Sequence, residues 1–248
     1  MAVERINYTA NGKRFIGALV FDERATEKRP LMLMAPNWLG VTEDAIKRTQ
    51  MMANSRYVAF VADMYGDGKV SAGPPEAAEL ANSLRADPKE RRLRIKAALS
   101  SLIEQGEKRG IGDISRKAAV GFCFGGGNVL ELARIGAELQ AVVCVHGDLT
   151  TPLPAAAGDV KASLLVLHGA ADPVAPKAQR DAFEAEMETA KVNWQMMTFG
   201  HALHSFCEPE SNVPGIAKYD ETAARQSYRL IDSFIVEAFE KKHSGRLK

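Results

Sequence analysis

A cysteine flanked by glycines is the residue whose position most clearly indicates chemistry. The run Gly121-Phe122-Cys123-Phe124-Gly125 places a thiol where the G-x-S-x-G nucleophile motif has its serine. An apolar segment precedes this run and a segment with helical spacing follows it, so we predict a strand, a sharp turn and a helix. The partial positive charge at such a helix N-terminus favours a thiolate. The motif indicates a nucleophile, with a small core cysteine as the alternative.

An acid and a base follow Cys123 at the ends of two later predicted strands. Asp172 comes after the apolar strand at residues 163–167, and His204 comes after the strand at residues 193–199. A carboxylate in that position can accept a hydrogen bond from the histidine and fix its tautomer. Because nucleophile, acid and base occur in this order at strand ends, the sequence predicts a Cys-His-Asp triad.

Other residues leave the identity of the base and the acid open. His201 shares the loop of the predicted base, and Asp148 follows the strand that precedes the strand of the predicted acid. His146 and His168 end predicted buried strands, where structural histidines are common. We therefore keep His201 and Asp148 as alternatives in the triad.

Several of these segments resemble the dienelactone hydrolase family, a branch of the α/β-hydrolases with a Cys-Asp-His triad. The resemblance rests on residues 62–66, 121–126, 168–173 and 200–206, and it extends from about residue 15 to the last helix. It implies Cys123 as nucleophile, Asp172 as orienting acid and His204 as base. It also implies an oxyanion hole made by the backbone N–H groups of Trp38 and Phe124.

Two positions depart from the pattern of this family. Asn37 stands where members resembling the type enzyme have a glutamate that interacts with the resting thiol, and an amide cannot take a proton. We therefore expect His204 to activate Cys123 directly. Glu208 stands where the type enzyme has an arginine that binds a substrate carboxylate, which disfavours a dienelactone carboxylate as substrate.

The substrate pocket is expected in loops at the carboxyl ends of the strands, where ligands of such sheets bind. The predicted pocket residues are Asn37, Tyr65, Arg85 and Phe206. Arg85 could bind a substrate carboxylate or face solvent on its helix. The basic run Arg91-Arg92-Leu93-Arg94 is predicted to form a solvated helix face.

Composition and charge narrow the class of protein. The chain has 248 residues, of which 46% are hydrophobic and 25% charged, which suits one α/β domain over residues 1–248. Its 32 basic and 31 acidic residues give a net charge of +1 and form no basic tract, which argues against nucleic acid as a partner. We expect a small-molecule ester or lactone substrate, no cofactor, no metal, and a monomer or small homo-oligomer.

The cellular setting is also predicted from the sequence. Neither a signal-peptide pattern nor an apolar run long enough for a membrane span occurs. Three cysteines are too few for a disulfide framework, and an odd number cannot all pair within the chain. This fits a reducing compartment. These observations predict a cytoplasmic protein that does not bind membranes.

The elements that must position these residues alternate along the chain. The turn signal Asn11-Gly12 predicts an antiparallel hairpin at the N-terminal edge. Further strands are predicted at residues 31–34, 57–62, 117–120, 141–146, 163–167 and 193–199, and helices at 42–54, 75–84, 88–107, 128–134, 176–190 and 220–242. This alternation predicts an α/β-hydrolase fold with a mainly parallel central sheet and helices on both faces.

The sequence thus predicts a hydrolase that cleaves an ester or lactone through an acyl-thioester on Cys123. Two other classes stay open. One is a ligand-binding module with the same fold and no turnover, and the other is a thiol redox protein in which Cys123 pairs with Cys207.

Overall fold

The computed structural model describes residues 1–241, which form alternating strands and helices. They divide into two compact units, Met1–Val120 and a second unit that begins at Gly121. The first contains β1 (Ala2–Ala10), β2 (Lys13–Phe21), β3 (Arg29–Ala35), α1 (Glu43–Ala53), β4 (Val58–Val61), α2 (Pro74–Ala86) and α3 (Pro88–Lys108). Strand β5 (Gly112–Phe122) leads into the second, which contains α4 (Phe124–Arg134), β6 (Ala141–Val145), β7 (Ser163–Gly169), α5 (Lys177–Thr189), β8 (Trp194–Phe199), β9 (Asn212–Val213), β10 (Ala217–Lys218) and α6 (Glu221–Lys241). The last position of the predicted final helix, Lys242, lies outside the described residues.

The first unit begins with the predicted antiparallel hairpin. Asn11 and Gly12 have φ values of 48° and 71°, which allow the tight turn between β1 and β2. The strand order is β1-β2-β4-β3-β5, with β2 antiparallel and β3 parallel to β4. The N-terminal strands therefore form the antiparallel part of a mostly parallel sheet, as predicted.

In the second unit, β6, β7 and β8 run parallel. The strands β6 and β7 are almost wholly buried apolar runs, because both of their faces are covered. Helices α4 and α6 pack on this sheet. The parallel arrangement brings the carboxyl ends of the three strands to one edge, where the loops that carry the predicted acid and base begin. The predicted α/β class is confirmed.

The predicted element boundaries differ from the observed ones where polar residues enter a strand. Strand β5 extends well beyond the predicted residues 117–120. Its first half was not predicted, because that segment is polar and has no apolar run. The short strands β9 and β10 were not predicted, since two-residue strands carry no alternating pattern.

The basic run on α3 is not a solvated face. Arg91 and Arg94 are only 3% and 9% exposed. Arg94 donates to Glu90 and to the backbone carbonyls of Met64 and Tyr65, at distances of 2.8, 2.9 and 3.3 Å. The prediction was wrong for these two arginines. For Arg94 the reason is that its carbonyl acceptors lie in a loop distant in sequence.

Two features are absent from the part of the chain that the structure describes. No helix in residues 1–241 is both long and apolar enough to cross a bilayer. Within the same residues, no three His, Cys, Asp or Glu side chains come together in a way that could hold a metal ion.

Candidate active site

Cys123 lies in the sharp turn between β5 and α4. Its φ of 53° and ψ of −121° are unusual for a residue with a side chain. Its N–H donates to the carbonyl of Val145 at 3.0 Å, and α4 begins at the next residue. The turn requires glycine at position 121, because a Cβ there would collide with the backbone of Gly125. The predicted strand, turn and helix are thus observed, with the thiol partly exposed.

Asp172 lies in the turn after β7 and is 3% exposed. Its Oδ1 accepts hydrogen bonds from the N–H groups of Val174 and Ala175 at 2.8 and 3.1 Å. These bonds fix the carboxylate and leave Oδ2 for another donor. The loop of the predicted base approaches closely, because a Cβ at Gly169 would lie 2.5 Å from the carbonyl oxygen of Ala202. A glycine at the end of β7 thus lets the two loops meet.

His204 is held by the small hairpin of β9 and β10. Its N–H donates to the carbonyl of Ile216 at 3.2 Å, and its own carbonyl accepts from the N–H of Lys218 at 3.0 Å. These two bonds form a parallel bridge between His204 and Ala217. The base is therefore fixed from both sides, by the hairpin and by the loop of Asp172.

The three side chains form one hydrogen-bonded chain. His204 Nδ1 lies 2.8 Å from Asp172 Oδ2, and His204 Nε2 lies 3.1 Å from Cys123 Sγ. Asp172 and His204 are buried, whereas Cys123 is partly exposed. This arrangement can transfer a proton from the thiol to the imidazole while the carboxylate holds the ring.

The surroundings of His204 raise the pKa of its imidazole. Burial by itself lowers the pKa of His204, but the charge of Cys123 and the hydrogen bond with Asp172 outweigh it and raise the pKa to about 10. The imidazole is therefore protonated at pH 7 when it faces the thiolate. A thiolate is the reactive form of cysteine, and a positively charged imidazole beside a thiol favours that form.

The pKa values of two neighbouring groups, Asp172 and His168, are both lowered. Burial raises the pKa of Asp172, but the hydrogen bond from His204 and the N–H groups of the following turn outweigh burial, and the pKa lies below its ordinary value. Burial lowers the pKa of His168, which outweighs the attraction of Asp172. Asp172 is thus the negative partner of His204, and His168 is a neutral histidine.

The alternatives for base and acid occupy other positions. His201 is exposed and has a φ of 63°. Asp148 Oδ1 accepts from the N–H and the hydroxyl of Thr150 at 3.2 and 2.7 Å, in a turn after β6. The hydrogen bonds to Cys123 and to a carboxylate belong to His204, so the geometry favours the predicted members over both alternatives.

Four predicted site residues lie in the first unit. The Asn37 side chain accepts from the N–H two residues later at 3.0 Å, which fixes the loop after β3. The Tyr65 hydroxyl donates to the carbonyl of Trp38 at 2.8 Å. Arg85 lies on α2 and donates to Asn82 Oδ1 at 2.9 Å. Tyr65 therefore orders the loop of Trp38, and the roles of these residues toward substrate stay predictions.

The remaining predicted residues, Phe124 and Phe206, lie in the second unit. Phe124 is the first residue of α4, so its N–H lies at the helix N-terminus. Phe206 is fully buried, with its ring 5.0 Å from that of His146 and 5.3 Å from that of Phe199, measured between centroids. It packs behind the triad, and direct contact with substrate stays a prediction.

Sequence reasoning named His146 but did not predict that it lies beside the proposed base. The ring of His146 lies 5.5 Å from the ring of His204, at an interplanar angle of 68°. The sequence indicated a buried histidine at a strand end. It carried no signal for this contact, which depends on two loops that are distant in sequence.

Comparison with known proteins finds related sequences and related folds. A model described as the dienelactone hydrolase family matches residues 16–239. The chain is 33% identical to a dienelactone hydrolase-like promiscuous phosphotriesterase from metagenomic libraries, with a TM-score of 0.86 over 96% of this chain and 98% of that one. It shares 18% identity and a TM-score of 0.68 with a dienelactone hydrolase from Anabaena variabilis, over 95% and 97% of the two chains. An uncharacterized protein of Caenorhabditis elegans is 36% identical over 132 residues, which are 51% of this chain and 83% of the relative.

Proposed function

The chain belongs to the dienelactone hydrolase family of α/β-hydrolases, and from this premise we propose that it hydrolyses a carboxylic ester or lactone through Cys123, His204 and Asp172. The observation that carries the proposal is the hydrogen-bonded chain from Cys123 Sγ through His204 to Asp172. A ligand-binding module without turnover has no need of a partly exposed thiol that is hydrogen-bonded to a buried histidine.

Acylation begins from the ionised pair. The thiolate of Cys123 attacks the carbonyl carbon, and the carbonyl electron pair moves to oxygen to give an oxyanion. When the C–O bond to the leaving group breaks, the proton on His204 Nε2 passes to the leaving oxygen. The product is an acyl-thioester on Cys123, an alcohol or a ring-opened hydroxyl group, and a neutral His204.

Deacylation uses the same histidine as a base. Acylation removes the charge of the thiolate, so the neutral imidazole can take a proton from water. The resulting hydroxide attacks the thioester, the C–S bond breaks, and the carboxylic acid leaves. The proton remains on His204 beside the restored thiolate, and throughout the cycle Asp172 compensates the positive charge on the ring.

The chemistry of sulfur favours esters and lactones over amides. In the tetrahedral intermediate a thiolate is a better leaving group than an amine, so attack on an amide tends to reverse. An alkoxide protonated by His204, or an enolate, leaves readily enough for the thioester to form. The substrate class therefore follows from the nucleophile.

The oxyanion is proposed to be stabilised by backbone N–H groups. The N–H of Phe124 belongs to the N-terminus of α4, whose dipole favours negative charge. The family resemblance adds the N–H of Trp38 as the second donor. Asn37 in place of a glutamate leaves direct activation of Cys123 by His204 as the proposed route, and Glu208 in place of an arginine disfavours substrates with a second carboxylate.

A second class of substrate is favoured by one relative. The relative that is 33% identical is named a promiscuous phosphotriesterase. A thiolate can also attack the phosphorus atom of a neutral triester that has a good leaving group. We therefore propose phosphotriester hydrolysis as a side activity of the same cysteine.

The experiment compares hydrolysis of p-nitrophenyl acetate by the wild type, Cys123→Ala and Cys207→Ala. Cys207 is a buried thiol three residues after His204, so its variant controls for loss of a nearby sulfur. We expect Cys123→Ala to lose at least about 10³-fold in turnover, as removal of a nucleophile does, and Cys207→Ala to retain wild-type activity. Turnover at the wild-type rate in Cys123→Ala would falsify the assignment.

The same samples separate the other functions. Ligand binding without product release would indicate a binding module. Rapid oxidation of Cys123 by peroxide, followed by a disulfide with Cys207, would indicate a redox protein. Parallel assays with lactones, alkyl esters and a p-nitrophenyl phosphotriester define the substrate class. A cytoplasmic location and a monomeric or small oligomeric state are kept as proposals for this enzyme.

A further inference from the structure

The end of β6 contacts the segments that carry the proposed triad. The carbonyl of Val145 accepts from the N–H of Cys123 at 3.0 Å. The N–H of His146 donates at 2.7 Å to the carbonyl of Leu167, on the strand that leads to the acid. The ring of His146 lies against the ring of His204 in an edge arrangement, with the centroids 5.5 Å apart. One short segment thus connects nucleophile, acid strand and base.

The ring of His146 cannot move easily. It is fully buried, and it packs at 5.0 Å against Phe206 and at 5.9 Å against Phe122, measured between centroids. Its φ of 37° is rare for a residue with a bulky side chain. Such a conformation persists only where the surroundings fix it, and such residues cluster at functional sites.

The residue after His146 shows how tightly this turn is packed. A Cβ at Gly147 would lie 2.8 Å from the Cα of Gly126 and would collide with the sulfur of Cys144. The turn therefore rests directly against the first turn of α4, which begins beside the nucleophile. Movement of His146 away from His204 would require this packing to open.

We propose that His146 is a positioning residue, whose flat ring braces the imidazole of His204 so that both ring nitrogens stay aligned with Cys123 and Asp172. Asp172 and Cys123 hold the two nitrogens of the imidazole, but a ring held at its nitrogens can still tilt about the line that joins them. A planar side chain against it restricts that tilt. The expected change in kcat rests on the proposed function, whereas the expected change in the reactivity of the Cys123 thiolate does not.

The alternative is that His146 only fills the core. Core filling and bracing differ in what a substitution of similar size does. Leucine fills space without a flat ring, and phenylalanine retains a flat ring without nitrogens. A core-filling role predicts that both variants keep kcat, and bracing predicts that only phenylalanine keeps it.

The experiment uses the full chain with His146→Leu, His146→Phe and the control Phe183→Leu. Phe183 is a buried aromatic on α5 that packs against Trp194 at 6.2 Å, so its variant makes a matched change in the core. Three quantities are measured for each protein. They are kcat and KM for p-nitrophenyl acetate, the rate at which iodoacetamide alkylates Cys123, and the low-field proton resonance of His204 Nδ1–H.

We expect His146→Leu to lower kcat by about 10- to 100-fold with KM changed less than about threefold, since small misplacements of catalytic groups have effects of this size. Alkylation of Cys123 at pH 6 should slow by about tenfold, because a loosened imidazolium stabilises less thiolate. The His204 resonance should broaden. His146→Phe should restore all three to within about threefold of wild type, and Phe183→Leu should leave them unchanged.

Two results would overturn the proposal. One is a wild-type kcat and alkylation rate in His146→Leu, and the other is an equal loss in His146→Phe and His146→Leu. If His146→Leu does not fold, the phenylalanine variant still tests the proposal, because impaired alkylation in it contradicts bracing by ring shape. If the wild type hydrolyses no ester, the proposed function fails, while alkylation and the resonance still test His146.

Discussion

Around the proposed triad, several residues with side chains have positive φ. The values are 53° for Cys123, 37° for His146, 63° for His201 and 55° for Ser205. Each such conformation costs on the order of 1–3 kcal/mol and persists only where the surroundings fix it. Strain at these positions is the structural cost of placing the thiol and the imidazole within hydrogen-bonding distance.

The two histidines of one loop allow a matched test of the base. His204→Gln removes the partner of both Cys123 and Asp172, and we expect kcat/KM to fall by about 10³-fold or more, as in other triads. His201→Gln makes the same chemical change at an exposed residue and should stay within about twofold. Esterase assays of both variants measure this, and equal losses in the two would remove His204 from its role.

The raised pKa of His204 predicts the alkaline limit of acylation. Because the pKa is about 10, the imidazolium that protonates the leaving group persists through neutral pH and is lost as pH rises through 10. For an ethyl ester, whose alkoxide needs that proton, kcat/KM should fall above about pH 10, since kcat/KM reports the free enzyme.

A p-nitrophenyl ester is the control for this limit. Its phenolate leaves without a proton, so its kcat/KM should decline less over the same range. An alkaline limb near pH 7 for the ethyl ester would contradict an imidazolium stabilised by the thiolate.

The sequence was sufficient to predict which three side chains lie together, but not which residues support them. Cys123, Asp172 and His204 are recognisable because their types and order are specific to one kind of site. The contact of His146 with His204 depends on where two loops lie in space, and a buried histidine after an apolar strand looks the same with or without it. Arg94 shows the same limit, because its acceptors are backbone carbonyls that no sequence pattern marks.

Among the elements, the short hairpin of β9 and β10 has the largest effect on the site. It binds both backbone groups of His204, through Ile216 and Lys218. Four strand residues without alternation give no signal in the sequence, although the element decides where the base lies. The helix boundaries were easier to predict, since α1 begins after the N-cap Thr42 and ends before the left-handed Asn54, both of which were inside the predicted range.

The turn between β5 and α4 can be tested by adding one methyl group. In Gly121→Ala the new Cβ collides with the backbone of Gly125, which cannot move without displacing α4. We expect the free energy of unfolding to fall by about 3 kcal/mol or more, at the upper end for overpacking. Urea denaturation followed by circular dichroism measures the change.

Gly200→Ala is the matched control for this turn. A Cβ at Gly200 meets nothing within 4 Å, so the stability of that variant should be unchanged or slightly higher. If Gly121→Ala were as stable as Gly200→Ala, the collision would not limit the turn.

At the scale of the whole molecule, the alternation of strands and helices was enough to predict the α/β class and the antiparallel N-terminal strands. That residues 1–248 form one domain stays a prediction. The described residues divide into two compact units at Gly121. Strand β5 belongs to both, since it runs from Gly112 to Phe122. A strand shared in this way predicts that the units unfold together.

The two tryptophans of the chain report on one unit each and can test this. Trp38 lies in the first unit, and Trp194 lies in the second, where its Nε1–H donates to Glu188 at 2.9 Å. Each of two variants keeps one tryptophan: Trp194→Phe keeps Trp38, and Trp38→Phe keeps Trp194. When each variant is unfolded in urea, we expect the midpoint measured by fluorescence to coincide with the midpoint measured by circular dichroism. The reason is that β5 is one continuous strand, so unfolding of either unit disrupts one end of it. A fluorescence midpoint that departs from the circular dichroism midpoint of the same variant would show that residues 1–120 and the rest of the chain unfold separately, and the chain would then contain two domains.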